Sequence, residues 1–437
     1  MISPQRRREI IDALRRGTVP ERGLDAFAVG TGRFAAAFDE ELSAVALGGS
    51  GFKAVRGEYG SGKSFTVRWL AERARSAGFA TTEVQVSESE TPLHHLETVY
   101  RRACEHLTTA DTPTGALRTV VESWLYTLHQ DILAGSADIA NTSAVLEATD
   151  KLAEQRLGPI AARAPALAAV LRGYRRALAA DDAPRAEGLL AWLGGQPHVA
   201  AEIKRSAGIR GDLDHDGALA FLAGLVTILR GAGYGGLVLV LDEVETLQRV
   251  RSDARDRALN ALRQLIDELD RGQFPGLYLV ITGTPAFFDG PQGAQRLAPL
   301  AQRLYTDFTT AARFDNPRAV QLRLPGFDMA SLEEVGRRVR EIYREGSKDP
   351  ARVAERCDDL YVHLLAQAVT GDLGGRVGVA PRIFLKKLVS DVLDRVDQFP
   401  DFEPRRDYKL TVADSELTEV ERNARAAASV DEISLDV

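Results

Sequence analysis

Hydrophobic and polar positions fall into helical and strand rhythms that alternate near the N-terminus and then separate. Residues 3–16 read as a short charged helix, followed by a turn at Gly17-Thr18-Val19-Pro20 and a loop through Gly30. The pattern predicts a second helix over 33–45, a short strand over 52–56 running into Gly57, a helix over 63–76 closed by Gly78, and a strand over 81–87. Strand, glycine-rich turn, helix and strand within about 35 residues is the signature of a βαβ unit, hence of a parallel sheet covered by helices.

From residue 92 to residue 230 the pattern is helical almost throughout, with breaks at Thr112-Pro113, Gly158-Pro159, 182–184 and 194–197. The strand signal returns at Leu237-Val238-Leu239-Val240-Leu241, a continuous apolar run of the kind buried on both faces. A helix capped by Ser252 follows, with Ala258, Leu262, Leu265, Ile266 and Leu269 on one face and Gly272 beyond its end. Residues 277–281 read as another buried strand, and Val320, Leu322 and Leu324 alternate as a further one. Helix returns after Pro325-Gly326, opening with Ser331 and Glu334 at the spacing of a capping box. A last strong helix starts at Pro381-Arg382, with Leu385, Leu388, Val392 and Val396 on one side. Residues 413–437 carry two Arg against seven carboxylates and read as a mobile acidic tail. There is no internal repeat.

Composition narrows the class. The 437 residues, 45% hydrophobic and 27% charged, match an ordinary globular protein of roughly two to four domains. A net charge of −7 argues against coating nucleic acid by bulk positive charge, while leaving room for a local basic groove. Cys104 and Cys357 cannot build a disulfide framework and fall in no metal-spaced cluster. Arg6-Arg7-Arg8-Glu9 stands where a signal peptide needs apolar residues, and no run approaches the roughly 18 apolar residues of a membrane span. A cytoplasmic protein without membrane contact is expected. Only 8 of the 55 basic residues are Lys, so each well-placed lysine stands out.

One lysine stands in a motif with a definite chemistry. Gly57-Glu58-Tyr59-Gly60-Ser61-Gly62-Lys63-Ser64 fits G-x-x-x-x-G-K-[ST], with a strand before it and a helix after it. Glycines let backbone N–H groups curl around phosphate oxygens, and the N-terminus of the helix over 63–76, with Phe65 in its first turn, adds its dipole. Lys63 supplies a point charge to the β and γ phosphates, and the Ser64 hydroxyl ligates Mg²⁺. ATP and Mg²⁺ are therefore the expected ligands. Asp242-Glu243 ends the apolar run, which places Asp242 to hold Mg²⁺ and Glu243 to polarise the water that attacks the γ-phosphate. Glu245 reads equally well as support for the site or for the fold. Thr282, at the polar tip Thr282-Gly283-Thr284-Pro285, is the candidate hydroxyl for positioning water. Arg296, Arg303, Arg313 and Arg318 lie before the next strand, and Arg382 opens a helix on the other side.

Lys63 and Asp242 are 179 residues apart, whereas two or three βα steps need only ~60–90. The surplus is the helical stretch, which serves either to bind something other than ATP or to cover the sheet. The seven histidines are scattered and make no readable metal site or triad, and the Asn-Lys-x-Asp loop of guanine selection is absent.

The order of parts resembles the AAA+ ATPases, especially their initiator-like and signal-transducing branches, over about residues 15–400. At finer grain, residues 52–64, 237–247 with Asp-Glu-Val-Glu-Thr-Leu, 281–290 with Thr-Gly-Thr-Pro-Ala-Phe-Phe-Asp-Gly, and Arg323-Leu-Pro-Gly-Phe327 resemble the ATP-binding proteins of BREX bacteriophage-defence systems, of the BrxD type. The resemblance implies an α/β P-loop NTPase, AAA+ like, with an N-terminal helical and adenine-side segment (1–50) and an ATPase core (51–325) containing the insertion (92–230). A helical lid (326–404) and an acidic tail (405–437) complete it. By the same resemblance Val19 and Pro20 touch adenine, Arg303 acts as the arginine finger of a homo-oligomer, and Arg382 acts as the lid arginine. It further implies ATP hydrolysis beside a helicase, a DNA methyltransferase and a phosphatase-like protein, with DNA reached directly or through them. A non-catalytic scaffold that binds ATP or a DNA-binding initiator-like ATPase is the alternative, and a P-loop kinase a weaker one; Glu243 favours hydrolysis, because a scaffold needs no water-polarising base.

Overall fold

The structure, a computed structural model, describes residues 2–135, 142–158, 164–373, 381–418 and 421–422. Five strands form one sheet: β1 (Gly51–Arg56), β2 (Ala80–Gln85), β3 (Leu237–Asp242), β4 (Leu277–Gly283) and β5 (Gln321–Arg323). Their order is β2-β3-β4-β1-β5 and every pairing is parallel. The chain is therefore an α/β protein with a P-loop NTPase-like sheet, as the βαβ pattern implies.

Among the described residues, the other regular elements are helices. α1 (Pro4–Arg16) and α2 (Gly32–Ala46) precede β1, and α3 (Lys63–Ser76) joins β1 to β2. Between β2 and β3 run α4 (Leu96–Glu105), α5 (Leu117–Gly135), α6 (Thr142–Arg156), α7 (Pro165–Ala179), α8 (Ala183–Leu193), α9 (Ala201–Ser206) and α10 (His215–Gly231). α11 (Ser252–Asp270) leads to β4, and α12 (Pro285–Asp289) and α13 (Ala298–Leu304) lead to β5. α14 (Met329–Arg344), α15 (Pro350–Arg356), α16 (Asp359–Asp372) and α17 (Pro381–Lys386) follow, the last continuing through a π-helical turn (Lys387–Leu393).

The strand sequences explain the two-sided cover. In β3, Leu237, Leu239 and Leu241 point to one face and Val238 and Val240 to the other; in β4, Leu277, Leu279 and Ile281 oppose Tyr278 and Val280. The leucine face shares a single apolar core with Trp124, Tyr174 and Phe221 of the inserted helices. The insertion is thus built into the sheet's core. Tyr100 and Trp192 both meet the Phe221 ring edge-on, with centroids 5.9 and 5.5 Å away. The valine face packs on α2 and α3, and its core runs on through α1 into the helices after β5. Arg15 of α1 pairs with Asp394 and Arg7 with Glu345, so the first helix docks on the last ones.

Three local expectations are corrected. Ser252 is the first residue of α11 rather than its cap, since the preceding Arg251 holds the cap position without a side-chain bond. The Ser331/Glu334 capping box does not form: Asp328, one turn earlier, accepts the Ser331 N–H, and an aspartate outcompetes a serine already inside the helix. The start of the acidic tail packs against the fold. Val412 and Leu417 are buried, Glu416 accepts bonds from Lys386 and Lys387, and Glu421 pairs with Arg382, so a basic helix face holds the acidic segment. Residues 419–420 and 423–437 of the expected tail, and Pro159 of an expected break, lie outside the described residues.

The amino end of β3 contains a close backbone approach. Gly236 has φ +151°, and a Cβ there would lie 2.0 Å from the carbonyl oxygen of Gly276. Gly236→Ala should destabilise the fold by roughly 2 kcal/mol or more, read as a lower midpoint of urea unfolding; an unchanged midpoint would show that the two strands separate there without cost.

Candidate functional site

The phosphate loop leaves β1 at the carboxyl edge of the sheet and turns into α3. Gly60 (φ +80°) and Gly62 (φ +87°) adopt left-handed conformations that side chains disfavour. Gly57 is required for a different reason: a Cβ there would meet Ser61 Oγ at 2.2 Å. No side chain caps α3 at Gly62, so the first-turn N–H groups remain for a ligand. Lys63 is only 8% exposed. Its Nζ donates to the carbonyls of Gly57 (3.0 Å) and Glu58 (3.4 Å), lies 4.9 Å from the centre of the Tyr59 ring, and sits 3.5 Å from Glu245 Oε1.

Register brings the acidic edge to this loop. β4 lies between β1 and β3, pairing Val55 with Thr282 and Leu241 with Ile281, while β2 pairs Gln85 with Asp242. Asp242 consequently accepts hydrogen bonds from Ser64 Oγ (3.2 Å), from Thr282 Oγ1 and from the Glu243 N–H (3.1 Å). Thr282 is fully buried and also accepts the Glu243 N–H at 2.9 Å. Glu243 takes the left-handed conformation (φ +61°), which is costly for a side-chain-bearing residue and is held by those bonds on its N–H and by Thr246 on its carbonyl. The kink turns its carboxylate toward the end of β2, where Gln85 Nε2 donates to it at 3.0 Å. Burial pushes the Glu245 carboxyl above its ordinary pKa, Lys63 pulls it back, and Glu243 and Asp242 add to the rise.

Loop, edge and helices enclose a cavity of about 730 Å³. Tyr59 to Phe65 line its polar side, together with Glu243 and Glu245; Val19, Pro20, Phe27, Val29, Phe327 and Leu385 line an apolar side. The positions expected at adenine and at the phosphates thus share one cavity. Gly57, Glu58, Asp242 and Thr282 lie just behind its wall, tied to it by the bonds above. Arg382 also lines the cavity, but its guanidinium is engaged by Glu421 (Nε to Oε1 3.0 Å) and by the Glu416 carbonyl. Arg303 stands apart, paired with Asp267 of α11 and bonded to the Pro299 carbonyl. Arg296 pairs with Asp256 and Arg318 with Glu40, while Arg313 lies over the Phe314 ring at 4.6 Å. Sequence reasoning missed Gln85, whose role depends on strand order, and Phe27 and Phe327, which the chain brings in from two distant segments.

The residues fit a magnesium nucleotide. The loop leaves the first-turn N–H groups of α3 uncapped beside Lys63, and Ser64 and Asp242 are an oxygen pair of the kind Mg²⁺ prefers. Among the described residues no cluster of three or more His, Cys, Asp or Glu is placed to hold another metal. A family model described as BREX system ATP-binding protein BrxC/D matches residues 2–412. The chain belongs to the BrxC/D family. No curated protein and no solved structure matches it. The BrxC/D match spans the sheet, the insertion and the helices after β5, and ends before Glu416 and Glu421. Membership assigns ATP binding to the chain and implies partners within a BREX system. Among the described residues, no helix is long and apolar enough to cross a membrane.

Thr282 joins the two acidic residues, so Thr282→Val removes one hydroxyl and loosens both. With a bond to a charged group worth about 1.5–3 kcal/mol, turnover of ATP should fall at least ~10-fold while ATP still binds. Phosphate release measured beside equilibrium binding checks this; wild-type turnover would show that the hydroxyl is dispensable.

Proposed function

We propose that this chain hydrolyses ATP with Mg²⁺ in an AAA+ like cycle that drives assembly or remodelling of the DNA-targeting complex of a BREX system. The observation that carries this reading is the convergence of Lys63, Ser64, Asp242, Glu243 and Thr282 on one edge of the sheet, since nucleotide binding alone needs no glutamate beside the metal-binding carboxylate. When bound, Mg²⁺ would neutralise charge on the β and γ phosphates. Ser64 and Asp242 would hold it, Lys63 would meet the phosphate oxygens, and the first turn of α3 would offer them its N–H groups. Glu243 takes the proton of the attacking water once it leaves Gln85. The Gln85 bond favours slow basal turnover that a partner or nucleotide accelerates by releasing the carboxylate.

Assembly is the second part of the proposal. A neighbouring copy supplies a guanidinium to the γ-phosphate from the stretch between β4 and β5. Arg303 must first leave Asp267, whereas Arg313 stands over the exposed Phe314 ring and, among the described residues, has no carboxylate partner. The geometry therefore favours Arg313 over Arg303. Arg382 joins the site when Glu421 releases it. DNA is reached through other BREX proteins or through a local groove, as the net charge of −7 offers no general attraction.

Two variants test the reading. Lys63→Ala removes the loop's cation and should weaken ATP binding at least ~10-fold. Glu243→Gln keeps shape but loses the base, so it should bind ATP as the wild type does and hydrolyse it ~10²-fold more slowly. Equilibrium titration with a fluorescent ATP analogue and release of inorganic phosphate read the two effects. Wild-type hydrolysis by Glu243→Gln would refute the base assignment, and ATP binding without any turnover in the wild type would favour a scaffold.

A further inference from the structure

Glu245 lies two residues past Glu243, in the 3₁₀ turn Val244–Gln248. The turn carries its side chain inward, where it is 5% exposed and lines the cavity beside Tyr59 and Lys63. Both carboxylate oxygens are buried, and no other residue among those described donates a hydrogen bond to them, only the backbone N–H of Glu245 itself being turned toward them. Buried carboxylates in folded proteins are ordinarily supplied with donors, because leaving them bare is costly. The cation this one meets is the ammonium of Lys63, at 3.5 Å. That ammonium is the same group the phosphate loop presents to its ligand.

We propose that Glu245 competes with phosphate for Lys63: its carboxylate holds the ammonium when the site is empty and weakens the binding of any polyphosphate that must displace it. The inference rests on the nucleotide-site reading above and deepens it. A triphosphate brings acceptors and negative charge but no donor for Glu245. Lys63 therefore leaves the carboxylate on binding, and the two anions then face each other across a poorly hydrated pocket. Glu245 is a positioning residue that sets how strongly the loop grips phosphate. A purely structural ion pair would influence folding and leave the preference for phosphate untouched.

The test compares ligands that differ in charge. Glu245→Gln keeps the volume and removes the charge, so ATP, ADP and inorganic pyrophosphate should each bind at least ~5-fold more tightly. Adenosine, which does not reach Lys63, should bind with unchanged affinity. Glu245→Ala should show the same split, which keeps the test available if the buried amide prevents folding. Titration calorimetry on the full chain, with thermal unfolding as a control, reads the result. Unchanged or weaker polyphosphate binding in folded variants would overturn the proposal. Equal ATP affinity for the wild type and Lys63→Ala would instead overturn the nucleotide-site reading itself.

Discussion

The site depends on where β4 sits. By entering the sheet between β1 and β3, it places the buried Thr282 hydroxyl between the phosphate loop and the acidic strand end, where Asp242 accepts its hydrogen bond. Parallel pairing without a slip then aligns Gln85, Asp242 and Thr282 at one carboxyl edge, where backbone groups run out of strand partners and a ligand crevice forms. A one-residue slip would turn Thr282 into the opposite face and leave Asp242 without its buried donor. The leucine and valine faces of β3 and β4 guard against that slip, because each face is buried against its own set of helices.

The same edge carries the molecule's conformational tension. Glu243 is held in a left-handed conformation by three groups, its carboxylate is engaged by Gln85, and Lys63 faces the buried carboxylate of Glu245. Arg382 is likewise occupied by Glu421. Glu243, Lys63 and Arg382 thus each have a partner within the chain, which a nucleotide that used them would have to displace. Helices on the valine face link α1 and the helices after β5 through one continuous core.

What the sequence revealed follows the range of the interactions. The phosphate loop is legible because its glycines, lysine and serine are covalent neighbours and the geometry they need is local. Asp242 and Glu243 are legible because an apolar run announces the strand whose end they form. The parallel sheet follows from the βαβ pattern. The pairing of Gln85 with Glu243 joins residues 158 apart, and the hold of Glu421 on Arg382 joins residues 39 apart through a segment whose charge suggests a free tail. Neither has a periodic signal. Arg303, which the AAA+ resemblance offers as a finger, pairs with Asp267, a contact that the sequence likewise does not announce.

The most direct test of this arrangement is the Mg²⁺ dependence of ATP binding to the full chain, wild type against Asp242→Asn. If Asp242 and Ser64 hold the metal at the strand edge, Mg²⁺ should strengthen ATP binding to the wild type at least ~10-fold, and the substitution should abolish that gain while leaving metal-free binding unchanged. An equal Mg²⁺ effect in both proteins would contradict the site as described.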